Sequence, residues 1–200
     1  VRIWQDGKLL NTLNNKKINH AAFSHDGKKI ITVSKNSTTK LWNSSTGKLQ
    51  HIFTDNSDRF ANFSPDGKTV GTIKNDNTMQ LWNITDNKEI LKIINVLHMA
   101  FSPDSHFIIT ISKGKRAKLW KDGKLHKMLS GHQQALTFAT FSPSGKFIIL
   151  TSEDHTASLW ETTTGKQIAV LAGHKSKVNH AAFSPDSNLL SSCSFPQTSS

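Results

Sequence analysis

Residues 151–160 read TSEDHTASLW, in which hydroxyl and acidic side chains stand ahead of a Trp on a segment whose alternation predicts a β-strand. The pattern recurs in the same chain as SKNSTTKLW at 34–42, KNDNTMQLW at 74–82 and SKGKRAKLW at 112–120. The five Trp residues therefore belong to an internal repeat, with spacings of 38, 40, 38 and 40 residues between positions 4, 42, 82, 120 and 160.

A second series of aromatic residues follows the same period. It begins each time with Phe-Ser and a turn, at Phe23, Phe63, Phe101, Phe141 and Phe183. Within one period, four short apolar segments alternate with turn residues, as in LTFATF, FIILTS, ASLW and QIAVLAG of the fourth copy. Four antiparallel strands make one small sheet, which cannot bury both of its faces alone. Stacking such sheets around an axis buries those faces and exposes only short edges.

These linked motifs resemble the WD40 family of β-propellers over nearly the whole chain. The family pattern is GH, a strand ending in FSPDG, a strand ending in S-x-D-x-T, and a strand ending in LW and a polar residue. GH occurs at 131–132 and 173–174, and FSPDG is complete at 63–67. The resemblance implies an all-β propeller domain or fragment over residues 1–200, with four complete four-stranded blades and two half blades. The repeats run approximately over 1–14 (partial), 15–54, 55–94, 95–130, 131–172 and 173–200 (partial).

The number of blades in the ring has two interpretations. A seven-bladed ring would need about 280 residues at this period, so we expect the chain to be a fragment of a larger propeller. The alternative is a five-bladed ring, in which the last two strands pair with the first two.

The resemblance also implies a hydrogen-bonded group inside a blade. In the fourth copy its members would be His132, Ser152 (Thr151 if the register shifts by one), Asp154 and Trp160. A buried indole N–H needs an acceptor, and a hydroxyl, an imidazole and a carboxylate can complete the chain of hydrogen bonds. We therefore interpret the carboxylate as structural, and not as part of a catalytic pair with the histidine.

The other copies of the repeat lack parts of this group. The Asp position holds Asn36, Asp76 and Gly114 in the first three copies, and the His position falls near Asn14 and Thr54 in the first two. We expect the complete network in the fourth copy alone.

The sequence predicts no catalytic site, cofactor or metal. It contains no G-x-x-x-x-G-K-[ST], H-E-x-x-H or G-x-S-x-G motif. His20, His98 and His180 recur three residues before a repeat Phe, but a zinc site needs four convergent ligands, and one Cys with scattered His does not supply them. We expect a protein that is not an enzyme.

The location expected from the sequence is intracellular, most simply cytoplasmic. The apolar runs are far shorter than the ~20 residues of a membrane-spanning helix, and the N-terminus does not resemble a signal peptide. The single Cys193 cannot form an internal disulfide, which fits a reducing compartment. No membrane association is expected.

The charge is strongly basic, with a net +11 carried by 22 Lys and three Arg. By the resemblance, the loops before each first strand and the turns between second and third strands share one face, where partners dock. The basic residues expected there are Lys16, Lys17, Lys35, Arg59, Lys74, Lys113, Lys115, Lys175 and Lys177. The acidic ones are fewer: Asp55, Asp58, Asp76, Glu153 and Asp154.

The function expected is that of a non-catalytic scaffold that binds a protein or peptide through the propeller loops, with acidic partner surfaces favoured. One alternative is binding of nucleic acid or another polyanion through the Lys-rich surface. It is less favoured because Arg, the better bidentate reader of phosphate, is scarce. The other alternative is the sensor or regulatory portion of a larger multidomain protein.

Overall fold

The computed structural model describes residues 1–14, 17–34, 38–54 and 58–194. The regular structure in these ranges consists of twenty β-strands without a helix, so the all-β class predicted from the sequence is confirmed. It follows that none of the described residues forms an apolar helix of membrane-spanning length. The chain divides into two compact units, Val1–Asn95 and Val96–Ser200.

The first unit contains ten strands in three antiparallel sheets. Sheet I pairs β1 (Arg2–Gln5) with β2 (Lys8–Thr12). Sheet II has the order β3 (Ile18–Phe23), β4 (Lys29–Ser34), β5 (Thr39–Asn43), β6 (Leu49–Thr54). Sheet III has the order β7 (Asp58–Phe63), β8 (Thr69–Lys74), β9 (Met79–Asn83), β10 (Glu89–Ile93).

The second unit also contains ten strands in three antiparallel sheets. Sheet IV has the order β11 (His98–Phe101), β12 (Phe107–Ile111), β13 (Arg116–Lys121), β14 (Lys124–Ser130). Sheet V has the order β15 (Leu136–Phe141), β16 (Phe147–Ser152), β17 (Ala157–Glu161), β18 (Gln167–Leu171). Sheet VI pairs β19 (Val178–Phe183) with β20 (Leu190–Ser194).

The FSPDG motif forms the turn between the first and second strands of a sheet. In sheet III the Ser64 hydroxyl donates to Asp66 Oδ1 over 2.6 Å, and the Lys68 N–H donates to the same oxygen over 3.0 Å. Gly67 lies between them with φ at +67°, a left-handed conformation that glycine adopts without steric cost. The same Ser–Asp bond occurs at Ser24–Asp26, Ser102–Asp104 and Ser184–Asp186.

The core of each unit lies between successive sheets. In the first unit, Ile31 and Leu41 of sheet II pack with Ala61 and Phe63 of sheet III. In the second unit, the largest cluster joins sheet IV to sheet V, and a smaller one joins sheet V to sheet VI. Sheets II and V are each covered on both faces, which is how four-stranded sheets too small to fold alone become buried.

The Trp of each complete sheet lies on the third strand, opposite a β-branched residue of the second strand. The pairs are Ile30–Trp42, Val70–Trp82, Ile108–Trp120 and Ile148–Trp160. Two positions after this β-branched residue, and ten before the Trp, the second strand holds another residue that lies on the same face of the sheet. That residue is Thr32, Thr72, Thr110 and Leu150 in sheets II to V.

Candidate functional site

Sheet V carries a buried chain of polar side chains. His132 lies in the loop before β15, Asp154 in the turn between β16 and β17, and Ser158 and Trp160 on β17. His132 Nδ1 lies 2.8 Å from Asp154 Oδ2, and His132 Nε2 lies 2.6 Å from Ser158 Oγ. The Trp160 indole N–H donates to Ser158 Oγ over 2.7 Å.

One proton arrangement satisfies every group in this chain. Ser158 accepts from Trp160, so its own hydroxyl proton is free to be donated to His132 Nε2. His132 then carries its proton on Nδ1 and donates it to Asp154. A neutral imidazole bound to an ionised carboxylate meets these requirements.

The Asp154 carboxylate is held by more than the histidine. The Gln133 N–H donates to Oδ2 over 2.8 Å, and the Thr156 hydroxyl and N–H donate to Oδ1 over 2.6 and 3.1 Å. Burial by itself would raise the pKa of Asp154. The hydrogen bonds from Thr156, Gln133 and His132 outweigh it and lower the pKa to about 2.

The hydroxyl of this network was assigned to the wrong residue from the sequence. Ser152 lies at the end of β16 and donates to the Ala135 carbonyl over 3.0 Å, while its oxygen accepts the Asp154 N–H. Thr151 contacts Thr137 instead of the indole, with 2.6 Å between the hydroxyl oxygens. The hydroxyl that joins the indole to the imidazole is that of Ser158. It lies two residues before Trp160, on the same face of its strand.

The order Ser158–His132–Asp154 is that of a hydrolase triad, in which the histidine activates the serine oxygen. Ser158 is 1% exposed, and its oxygen already accepts the N–H of Trp160. The side chains of His132 and Asp154 are 3% and 9% exposed. Trp160 belongs to the core between sheets IV and V, so a substrate would have to displace that core to reach the hydroxyl. The arrangement is therefore suited to stabilise the sheet.

Two other sheets satisfy the indole in a simpler way. The Trp42 N–H donates to Thr32 Oγ1 over 2.8 Å, and the Trp120 N–H donates to Thr110 Oγ1 over 2.9 Å. Each Thr stands ten residues before its Trp, a recurrence that the sequence analysis missed although the spacing is regular. Sheet V has Leu150 at this position, and Ser158 replaces the missing hydroxyl.

Sheet III has the residues for the simple arrangement but does not form it. Trp82 Nε1 and Thr72 Oγ1 are both buried, and neither has a hydrogen-bond partner among the residues that the structure describes. Gln80, two residues before the Trp, directs its amide nitrogen to the Glu89 carboxylate.

The second GH motif builds part of the same network in sheet VI. His174 Nε2 lies 2.8 Å from Ser192 Oγ, and His174 Nδ1 lies 3.0 Å from Ser194 Oγ. Ser192 pairs with Ala181 as Leu150 pairs with Ala139 in sheet V, so it occupies the position that accepts the indole in other sheets.

The comparison with known families agrees with this geometry. A family model described as WD domain, G-beta repeat matches residues 7–43, 91–121, 123–161 and 165–198, which is more than half of the chain. The chain belongs to the WD40 family. The match over 123–161 contains the whole network of sheet V, whereas 44–90, with most of sheet III, lies outside the four regions. No curated protein matches the chain significantly. WD40 repeats in general form scaffolds that bind protein partners, and the family is typically non-catalytic.

In the second WD40 unit, hydrogen bonds tie a basic turn to the neighbouring sheet. Lys113 and Lys115 are exposed on either side of Gly114, in the turn between β12 and β13. The Gly114 carbonyl accepts the N–H of Leu136 over 2.9 Å, which holds this turn at the beginning of β15.

A second basic loop reaches the same end of sheet V. Lys175 and Lys177 are exposed just before β19, and the Val178 carbonyl accepts the Thr137 hydroxyl over 2.5 Å. Thr137 directly follows Leu136, so the two loops are hydrogen-bonded to the first two residues of β15. All four lysines predicted for this unit therefore lie at one end of its strands.

The basic residues of the first unit are less concentrated. Arg59 lies across a turn, because its Nε donates to the Lys74 carbonyl and its Nη2 to Asn77 Oδ1, both over 3.3 Å. Lys17 is exposed before β3. Lys16 and Lys35 lie outside the described residues.

Asp58 was wrongly expected among the exposed acidic residues of the loop face. It is 2% exposed at the first position of β7, and its carboxylate accepts the hydroxyl of Thr39 over 2.5 Å. An aspartate beside a loop can belong to the packing between sheets, which the alternation of the strand does not reveal.

The recurring histidines stack on phenylalanines that occupy the same register. In the second unit the Phe138 ring lies 4.8 Å from that of His98 and 4.2 Å from that of His180. In the first unit His20 lies 5.1 Å from Phe60. Within the described ranges, no group of three or more His, Cys, Asp or Glu side chains is placed to hold a metal ion.

Proposed function

We propose that the chain is a non-catalytic intracellular scaffold that binds an acidic segment of a partner protein through the loops at the start of β15. The observation that carries the proposal is the placement of Lys113, Lys115, Lys175 and Lys177 in two loops of the second unit that are both hydrogen-bonded to the start of β15. WD40 repeats in general bind protein partners, and these loops present four exposed lysines at the ends of the strands.

The acidic residues nearby do not neutralise this surface. The Asp154 carboxylate accepts hydrogen bonds from Thr156, Gln133 and His132 within the buried network. Glu153 is the exposed acidic residue of the same turn, and its N–H is bound to the Ala135 carbonyl. A local excess of positive charge attracts acidic partners and speeds their association.

A protein partner fits the loops better than nucleic acid does. All four cations are lysines, which act as point charges, whereas bidentate recognition of phosphate favours arginine. Binding to a polyanion would weaken steeply with salt and would not depend on sequence, so it can be distinguished by experiment.

The assignment as non-catalytic is supported by the network in sheet V. Its three triad-like side chains are buried, and the serine oxygen is occupied by an indole N–H. An intracellular location is supported by Cys193, a free and exposed thiol of the kind that a reducing compartment preserves.

The test is selection of peptides from a random phage library on the folded chain, followed by affinity measurement of the selected peptides. We expect net negative peptides that lose at least about tenfold in affinity for the Lys113→Glu/Lys115→Glu variant. The matched control is Lys146→Glu/Lys166→Glu. This variant has the same change in charge, made at exposed turn residues of the same unit at the opposite ends of the strands.

Two results would overturn the proposal. Equal losses for both variants would show that net charge alone drives binding. Binding of oligouridylate or heparin with a steep salt dependence, in place of peptides, would assign the surface to polyanions.

A further inference from the structure

An open cleft of about 460 Å³ lies between sheets II and III of the first unit. Its volume is within the range of small-ligand sites, which are typically about 300–1,000 Å³. The turn between β7 and β8 and the turn between β9 and β10 form one wall, and β6 forms the other. The lining residues are Lys29, Leu41, Gln50, His51, Gly67, Lys68, Ile84, Thr85 and Asn87.

The equivalent space is filled between sheets I and II. There the Asn11 amide of the fourth-strand position donates to the Ser45 carbonyl over 2.5 Å. A Cβ added to Gly47 of the same turn would lie 3.3 Å from the Asn11 side chain, so no cleft remains.

The space is also filled between sheets IV and V of the second unit. His126 Nε2 lies 3.0 Å from the Thr163 carbonyl, and the His126 ring packs against Phe107 with 5.8 Å between centroids. A Cβ added to Gly165 would lie 3.0 Å from the side chain of Lys127.

The cleft is open because the corresponding side chain of sheet II takes another direction. His51 pairs with Leu41 as Lys127 pairs with Leu119, but its ring packs edge-on against Phe53 of its own strand, 4.8 Å between centroids.

The cleft combines an apolar floor with positive charge. Leu41 is buried in the core between the two sheets, and Ile84 packs against that core. Lys29 and Lys68 supply two ammonium groups, and the lining includes no acidic residue. The nearest carboxylate to Lys68 is that of Asp66, at 4.0 Å in an exposed pair that binds weakly. Burial lowers the pKa of His51, so this ring is neutral at pH 7 and contributes hydrogen bonds without charge.

We infer that this cleft binds an acidic peptide segment, with an aliphatic side chain on the Leu41–Ile84 floor and a neighbouring carboxylate beside Lys29 and Lys68. The exposed amides of Gln50 and Asn87 stand at the rim, where they can hydrogen-bond a peptide backbone. A peptide fits better than a free small anion because the cleft is open along one side and its lining contains both apolar and basic residues.

This site is separate from the loops of the second unit, and it goes beyond the function proposed for them. It lies at the hairpin ends β7–β8 and β9–β10, whereas those loops belong to sheets IV to VI. Charge reversal at Lys113 and Lys115 should leave it unchanged, so the two proposals can fail independently.

In the experiment, the full chain is titrated with a blocked pentapeptide of sequence GLEEG and with its uncharged counterpart GLQQG. Binding is monitored by the amide chemical shifts of the protein in NMR. We expect GLEEG to bind with a Kd of about 1 mM or tighter, with the largest shifts at lining residues, and GLQQG to bind at least about fivefold more weakly. The Lys29→Gln/Lys68→Gln variant should bind GLEEG with an affinity about fivefold to tenfold lower.

The matched control is Lys146→Gln/Lys166→Gln, which also removes two lysines. Lys146 occupies the register of Lys68, and both control residues lie in exposed turns of the second unit. This variant should leave the affinity for GLEEG unchanged. The inference is overturned if GLEEG and GLQQG bind equally, if GLEEG does not bind, or if the shifts fall outside the cleft. Thermal unfolding of each variant checks that the fold is retained.

Discussion

Sheets V and III hold a Trp at the same register but differ in the hydrogen bonding of its indole N–H. In sheet V the Trp160 N–H begins a chain of hydrogen bonds that ends at the Asp154 carboxylate. In sheet III the Trp82 nitrogen is buried without an acceptor among the described residues, and its ring lies 5.8 Å from that of Phe53.

The difference shows which part of the repeat is required. The apolar contact of the Trp with its neighbours occurs in both sheets, and it supplies most of the burial. The hydrogen-bonded network needs three further residues, and among the described residues only those of sheet V combine a loop histidine, a turn aspartate and a third-strand serine. The sheet can form without this hydrogen-bonded network. The network therefore determines how stable and how uniquely packed a given sheet is.

The largest expected effect is from removing the centre of the network. His132→Ala should destabilise the chain by about 3 kcal/mol, because it leaves the Asp154 charge and the Ser158 hydroxyl in a buried site without their shared partner. Urea unfolding measures this change.

The control for this variant is His126→Ala, which removes a single hydrogen bond to the Thr163 carbonyl. It should cost no more than about 1 kcal/mol. Equal losses for the two variants would mean that the network adds nothing beyond one ordinary bond.

A smaller loss of folding stability is expected when the pH is lowered. The pKa of Asp154 is about 2 in the folded chain and 3.8 in the reference state, so its ionised form stabilises the fold. This contribution of about 2 kcal/mol is complete above pH 4 and is lost as the pH falls from about 4 to 2. Asp154→Asn should therefore be less stable than the native chain at pH 7, and the gap should close toward pH 2.

Asp76 of sheet III is the matched position for the acid experiment. Its carboxylate accepts the Thr78 N–H over 2.8 Å, and hydrogen bonds from Thr78 lower its pKa, but no histidine is bonded to it among the described residues. Asp76→Asn should change the pH dependence much less than Asp154→Asn. A similar change for both would assign the acid sensitivity to the turn alone.

The sheets and three network members could be read from the sequence. The Trp and Phe spacings indicated four strands per repeat, and GH, Asp and Trp identified His132, Asp154 and Trp160. Ser158 was missed because the same position holds Lys40, Gln80 and Lys118 in the other copies, so the repeat gave no reason to expect a hydroxyl there. The network depends on a departure from the repeat.

The cleft between sheets II and III could not be predicted either. It exists because His51 packs along its own strand, whereas the equivalent Asn11 and Lys127 side chains reach the next sheet at the other junctions. The direction of one side chain is decided by local packing, which the periodicity of a strand does not contain.

The smallest expected effect compares the two indoles directly. Trp160→Phe removes a donor that is bonded to Ser158, whereas Trp82→Phe removes a buried donor that has no acceptor in the described structure. The two rings are not equally buried, since Trp160 is 4% exposed and Trp82 is partly buried, so a Ser158→Ala background is needed to isolate the N–H group. Trp160→Phe should be at least about 1 kcal/mol more destabilising than Trp82→Phe in urea unfolding. In a Ser158→Ala background that difference should fall toward zero, because both indoles would then lack the hydroxyl acceptor. Equal costs in the native background would show that Trp82 finds an acceptor in solution, and the contrast between sheets V and III would then lie in packing alone.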